Sequence, residues 1–159
     1  WLGNINKKYP LHLISNQPKN KLHSQLDHGK YSRSHKINGR EPIHINPNDA
    51  RIRNLNNNDI VKVFNDRGAC FAGVVIDSNL REGVVQISTG AWYDPIDPSQ
   101  KDSTCKNGNP NVLTRDIGTS KLGQGPTAHS CLVEVKLEKN MIPEITAYDP
   151  PKIIKDKKW

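Results

Sequence analysis

DIVKVFNDRGACFAGVVID, Asp59 to Asp77, decides the fold: two β-branched runs joined by Asp66-Arg67-Gly68. Asp59 to Asn65 alternates apolar with polar side chains, as a strand with one buried face requires, and Ala69 to Asp77 resumes a strand after the turn. Asp and Gly belong at such a turn for backbone reasons, so the stretch is an antiparallel hairpin. Working outward, Leu11 to Ser15 (LHLIS), Glu41 to Ile45 (EPIHI) and Val84 to Ser88 are further short strands with Pro, Gly or Asn at or near their ends, and Cys131 to Leu137 (CLVEVKL) closes the sheet region. Asn46-Pro47 starts a short helix through about Arg53, with Asn46 capping and Pro47 at the first helical position. Lys19 to Arg40 has no sustained periodicity and is expected to be a long surface loop, and Gly90 to Pro110 is irregular. Six short strands, one or two short helices and long polar connections make a mainly β protein, an all-β barrel with functional loops.

The 159 residues suffice for one ordinary domain, and a hydrophobic fraction of 34% demands a compact core. No apolar run approaches the roughly 20 residues needed to cross a bilayer, so no membrane insertion is expected. Beyond Glu138 the composition shifts to Pro, Lys and isolated Ile. We expect a lead-in over residues 1–8, a barrel domain over 9–138 and a tail over 139–159, the tail either extended along another surface or disordered. Trp1 and Trp159 stand at the two ends, where an aromatic either anchors a terminus or has no role. The net charge of +7 allows attraction to phosphates or an acidic partner. The basic residues are dispersed and aromatics make up only 6%, so no nucleic acid is expected as partner. Three cysteines far apart fit neither a disulfide framework nor a zinc site. Cys70 and Cys131 lie in apolar runs and should be small core residues, whereas Cys105, in a polar loop, is expected to be exposed.

The candidate binding segment is Asn111 to Ala128, NVLTRDIGTSKLGQGPTA. Gly118, Gly123 and Gly125 can take backbone angles closed to other residues, and Asn111, Thr114, Thr119, Ser120, Gln124 and Thr127 supply neutral hydrogen-bonding groups. That inventory reads a heteroaromatic edge or a phosphate. The Gly118 to Gly123 spacing lacks the lysine of a phosphate-hydrolysing loop. His23, Ser24 and Gln25 are three consecutive side chains able to hydrogen-bond a heterocycle, unless they are an ordinary polar loop. Trp92 and Tyr93, between Gly90 and Pro95, either plug the barrel end or wall a pocket, and the plug is favoured. None of the six histidines has metal-site spacing, and no nucleophile elbow or paired carboxylates are apparent, so neither a catalytic nor a metal-ligating residue is assigned.

The series LHSQL (Leu22 to Leu26), GREPIHINPNDA (Gly39 to Ala50), VFNDRG (Val63 to Gly68), GAWYDP (Gly90 to Pro95) and NVLTRDIGTSKLGQG (Asn111 to Gly125) closely resembles the C-terminal domain of the molybdopterin guanine dinucleotide oxidoreductases. It is most similar to the branch of trimethylamine N-oxide, dimethyl sulfoxide and biotin sulfoxide reductases, over about Tyr9 to Leu137. The resemblance implies a six-stranded double-psi β-barrel that covers a bis-molybdopterin guanine dinucleotide cofactor. It implies contacts from Gln17, His23, Ser24, Gln25, Asn111, Ser120, Gln124 and Gly125. Relatives often carry His-Pro after the first strand where this chain has Gln17-Pro18, and Asn46 and Asp49 are assigned mainly to helix capping. The implied partners are the upstream domains of the same polypeptide, which hold the serine that ligates molybdenum. By itself this chain is then expected to be a monomer without activity, its two polar loops mobile, cut from a bacterial periplasmic or cytoplasmic reductase. The other reading is a freestanding β-barrel interaction module that no longer binds cofactor. A self-processing decarboxylase of related barrel type would need a Gly-Ser cleavage site that the chain lacks.

Overall fold

In the computed structural model, residues 5–151 and 153 are described, so Trp1, Trp159 and the outer parts of the lead-in and tail lie outside the described residues. The strands are β1 (Leu11–Ile14), β2 (Pro42–Ile45), β3 (Ile60–Phe64), β4 (Ala69–Ile76), β5 (Val84–Ile87) and β6 (Cys131–Leu137). Three short helices accompany them, α1 (Ile5–Lys8), α2 (Lys30–Ser34) and α3 (Pro47–Ile52), with one 3-10 turn at Pro110–Val112.

The strands close into a barrel in the order β1-β5-β2-β4-β3-β6. β1 runs parallel to β5 and β2 parallel to β4, while the other neighbours are antiparallel. Exchanging the first three strands for the last three maps every pairing onto another pairing of the same sense. This internal two-fold relation, with each half crossing over the other, is the double-psi arrangement. Closure leaves no free sheet edge.

Period-two alternation fills the interior. Leu11, Leu13, Ile43, Ile45, Val61, Val63, Val85, Ile87, Val133 and Val135 are all fully buried. Each such side chain contributes about 1.5–3 kcal/mol relative to exposure. β4 is buried on both faces over most of its length, and residues around Cys105 pair with the edge of its first half, where β2 does not reach. Phe71 N–H donates to the Cys105 carbonyl and Cys105 N–H to that of Ala69, both at 2.9 Å. Cys105 is therefore buried like Cys70 and Cys131, contrary to the expectation from its polar neighbours. Its backbone adds a fragment of strand that local composition does not announce.

α3 starts as expected, with the Asn46 side chain accepting from Asn48 N–H at 2.8 Å and Pro47 in the first turn. Asp49 does not cap it. Its carboxylate accepts from Gly83 N–H at 2.7 Å, fixing the chain as it enters β5. The Lys19–Arg40 loop holds the unanticipated α2, one turn whose Ser32 hydroxyl donates to the Asn20 carbonyl at 2.9 Å. A tertiary contact, not periodicity, selects that helix. The described part of the tail runs extended along the barrel's own loops: Arg40 donates to the Pro143 carbonyl and Thr146 N–H to Asp94 at 2.8 Å.

Candidate functional site

One end of the barrel gathers every sequence-nominated residue. The pairing senses bring the carboxyl ends of β1, β3 and β5 together with the amino ends of β2, β4 and β6. The connections 15–41, 65–68 and 88–130 therefore all emerge there, while α3 and residues 77–83 occupy the other end. Gln17, His23, Ser24, Gln25, Asn111, Ser120, Gln124 and Gly125 all belong to the first group of loops.

The turn after β1 and the LHSQ loop are locked together through residues 88–92. Thr89 N–H donates to the Asn16 carbonyl at 2.9 Å, and Asn16 Nδ2 to that of Gln17 at 2.9 Å. Trp92 Nε1 donates to the Ser24 carbonyl at 2.7 Å. Trp92 and Tyr93 are exposed at 36% and 49%, so neither plugs the barrel. Leu22 to Gln25 closes a tight turn with Gln25 N–H on the Leu22 carbonyl at 2.9 Å, and His23 takes φ of 51°. With those backbone groups engaged, the side chains of Gln17, His23, Ser24 and Gln25 point outward with no hydrogen-bond partner among the described residues.

Beneath this loop lies a cluster the sequence reading missed. Lys21 Nζ contacts Asp27 at 2.7 Å and Glu41 at 2.8 Å; Lys36 Nζ contacts the same carboxylates at 3.1 and 2.9 Å. All four side chains are at most 5% exposed. The second oxygen of Asp27 accepts from Trp92 N–H at 3.0 Å, Asn107 Nδ2 at 3.3 Å and the Tyr148 hydroxyl at 2.7 Å. Burial by itself would raise the Asp27 pKa, but the Lys21 hydrogen bond, the Lys36 charge and the Trp92 and Tyr148 donors hold it well below the usual carboxylate range. Burial first, then the Asp27 carboxylate, push the Tyr148 phenol far up. The sequence signal that could have marked the cluster is two lysines and one acid inside a loop otherwise read as solvated, with a second acid, Glu41, where the next strand begins.

The glycine-rich loop is organised from within. Ser120 Oγ accepts from Gly123 N–H at 2.8 Å, Gln124 Nε2 donates to the Lys121 carbonyl at 3.3 Å, and Thr119 N–H donates to the Gly125 carbonyl at 2.8 Å. The positive φ expected of Gly118, Gly123 and Gly125 falls instead on Gln124, at 46°. Gly118 serves close approach, since a Cβ there would lie 2.3 Å from the Gln124 side-chain oxygen. Ser120 and Gln124 thus spend hydrogen bonds on loop shape, while the exposed Asn111 side chain is unpartnered. Asn111 lines an open cleft of about 350 Å³ with Arg67, Tyr93, Lys101 and Asn109.

These residues suit a large polar heterocyclic ligand. Five unpartnered neutral or weakly basic side chains face outward at one end, two cations line the adjoining cleft, and the buried Ser15 hydroxyl at the exit of β1 lacks a partner. Among the described residues no three His, Cys, Asp or Glu side chains converge on a metal position.

A double-psi barrel with polar loops gathered at one mouth defines a ligand-covering domain. Residues 11–132 match the family described as "Molydopterin dinucleotide binding domain", and the chain belongs to that family. Trimethylamine-N-oxide reductase 1 of Escherichia coli (strain K12) is 46% identical over 145 residues, 91% of this chain and 17% of that protein. The trimethylamine-N-oxide reductase of Haemophilus influenzae is 41% identical over 153 residues, 96% of this chain and 18% of that one. The dimethyl sulfoxide/trimethylamine N-oxide reductase of Cereibacter sphaeroides is 40% identical over 151 residues. The chain thus spans under a fifth of the length of these relatives. Acetylene hydratase from Pelobacter acetylenicus shares the fold over 83% of this chain, with a TM-score of 0.66 at 17% identity.

Proposed function

We propose that this domain closes over a bis-molybdopterin guanine dinucleotide within a larger N-oxide or S-oxide reductase. The observation that carries the reading is the set of unpartnered side chains at Gln17, His23, Ser24, Gln25 and Asn111 on loops at one barrel mouth. Ser24 and Gln25 donate to and accept from the pterin edges, and His23 and Gln17 flank them. Asn111 orients the ligand beside the Arg67 and Lys101 cations, which suit phosphate. Ser120, Gln124 and Gly125 shape the loop that covers it, with Gly125 offering backbone. When bound, the cofactor supplies two-electron chemistry at molybdenum, by which an N- or S-oxide and two protons yield the reduced compound and water.

The partner of this surface is the remainder of such a reductase chain, and the isolated domain is a monomer. The test is cofactor content. In the full-length chain, His23→Ala with Gln25→Ala should lower bound molybdenum and acid-released guanine nucleotide together, by about tenfold for two or more lost hydrogen bonds. Unchanged content of both would reject the assignment and leave an interaction module.

A further inference from the structure

The Leu22–Asp27 loop holds two non-glycine residues in the left-handed region, His23 at φ of 51° and Leu26 at 63°. Each such residue costs about 1–2 kcal/mol, so something outside the loop must hold it. The turn's own bond from Gln25 to Leu22 is solvent-facing and weak as a tie. Asp27 is the anchor, and its grip comes from three directions: the lysines of its own connection, the Trp92 segment, and the carboxy-terminal segment through Tyr148.

We propose that Tyr148 is a positioning residue for the ligand-facing loop: the tail latches Leu22–Asp27 through Asp27 and Trp92, so that His23, Ser24 and Gln25 are presented before any ligand arrives. The identity of that ligand rests on the reading above. Five observations carry the latch. The Tyr148 hydroxyl donates to Asp27 at 2.7 Å, and its ring lies 5.8 Å from that of Trp92. Trp92 touches the loop twice, through N–H on Asp27 at 3.0 Å and Nε1 on the Ser24 carbonyl at 2.7 Å. The His28 ring lies 5.2 Å from Trp92. The tail itself is pinned two residues earlier, where the Thr146 hydroxyl donates to Asp94 at 2.7 Å and accepts from Lys106 Nζ at 2.6 Å. The Arg33 guanidinium and the Lys36 ammonium stand 5.2 and 5.9 Å from the Tyr148 ring centre, so the ring stays seated without its hydroxyl.

Tyr148→Phe in the full-length chain isolates the hydroxyl. Without cofactor, amide hydrogen exchange over Leu22–His28 should rise about tenfold or more, as expected for losing a hydrogen bond to a buried carboxylate. Strand amides such as Val61 and Val85 should not change. Trp92→Phe should open the same segment. The double variant should exceed the larger single effect only slightly, since both act through one loop. With cofactor bound, wild type and Tyr148→Phe should converge; at limiting cofactor the variant should hold severalfold less molybdenum, with turnover per bound molybdenum intact. Unaltered exchange over Leu22–His28, or a rise spread evenly over the barrel, overturns the latch. Wild-type exchange there that ignores cofactor rejects the binding reading instead and leaves the latch to stand on the cofactor-free comparison.

Discussion

The α-carbon of Gly90 sits against the carbonyl of His23: a Cβ at Gly90 would lie 1.8 Å from that oxygen, and Gly90 has φ of +93°. The connection leaving β5 therefore meets the backbone of the Leu22–Asp27 loop with no room between them. Gly90→Ala should destabilise the domain by about 2–4 kcal/mol from strain and displacement together. Urea unfolding measures the loss, and a midpoint within error of wild type would contradict this contact.

Asp27 gives the domain an acid-sensitive element. Its folded pKa lies below its unfolded value, so its contribution is complete above the unfolded pKa of about 3.9 and is lost as pH falls toward the folded one. Asp27→Asn should be less stable than wild type at pH 7, and the gap should narrow on acidification below about pH 4. Denaturant midpoints of both proteins at pH 7 and pH 3 decide it; a gap that widens in acid reverses the sign.

Leu13 has no exposed surface, whereas Leu122 is 97% exposed. Leu13→Ala should cost about 2–5 kcal/mol through transfer and cavity terms. Leu122→Ala should stay within about 0.5 kcal/mol. Equal effects in urea would mean that the barrel interior is not packed as described.

All three cysteines are buried, and burial pushes the Cys70 thiol well up. Cys131 is also raised by burial, in part offset by Arg67 beside its sulfur. A disulfide reagent at neutral pH should therefore label the native protein at its opening rate, with all three thiols reacting promptly in denaturant. Fast labelling of native Cys105 would return it to the surface.

The two polar loops should differ in mobility without ligand. Lys21–Glu41 is tied by buried ion pairs and by Tyr148, while residues 117–127 hold chiefly to one another. Amide exchange should be faster around Lys121–Gly125 than around Asp27. The reverse order would show that the ion cluster does not restrain its loop.

Much of this molecule is legible locally. Period-two alternation located β1 and β3, apolar runs and the turn residues between them located the other four strands, and Asn46-Pro47 located α3, because these signals depend on neighbours in sequence. The failures share a cause. Cys105 looks polar by its neighbours yet lies along β4, and Asp49 sits in a helix turn yet binds Gly83 across a connection. α2 is one turn selected by the Ser32 contact to Asn20, too short for any periodicity to show.

The sequence by itself determined which strand side chains go inside, where the chain turns, and that neutral hydrogen-bonding side chains concentrate at Leu22–Gln25 and Asn111–Gly125, since side-chain chemistry and backbone permissiveness are local properties. Only the tertiary structure decided that strand pairing over long separations puts those loops at one mouth, and that Asp27 meets Tyr148 from 121 residues away. Such meetings are chosen by the free energy of the closed barrel as a whole, because a buried carboxylate is tolerable only where several distant donors converge on it.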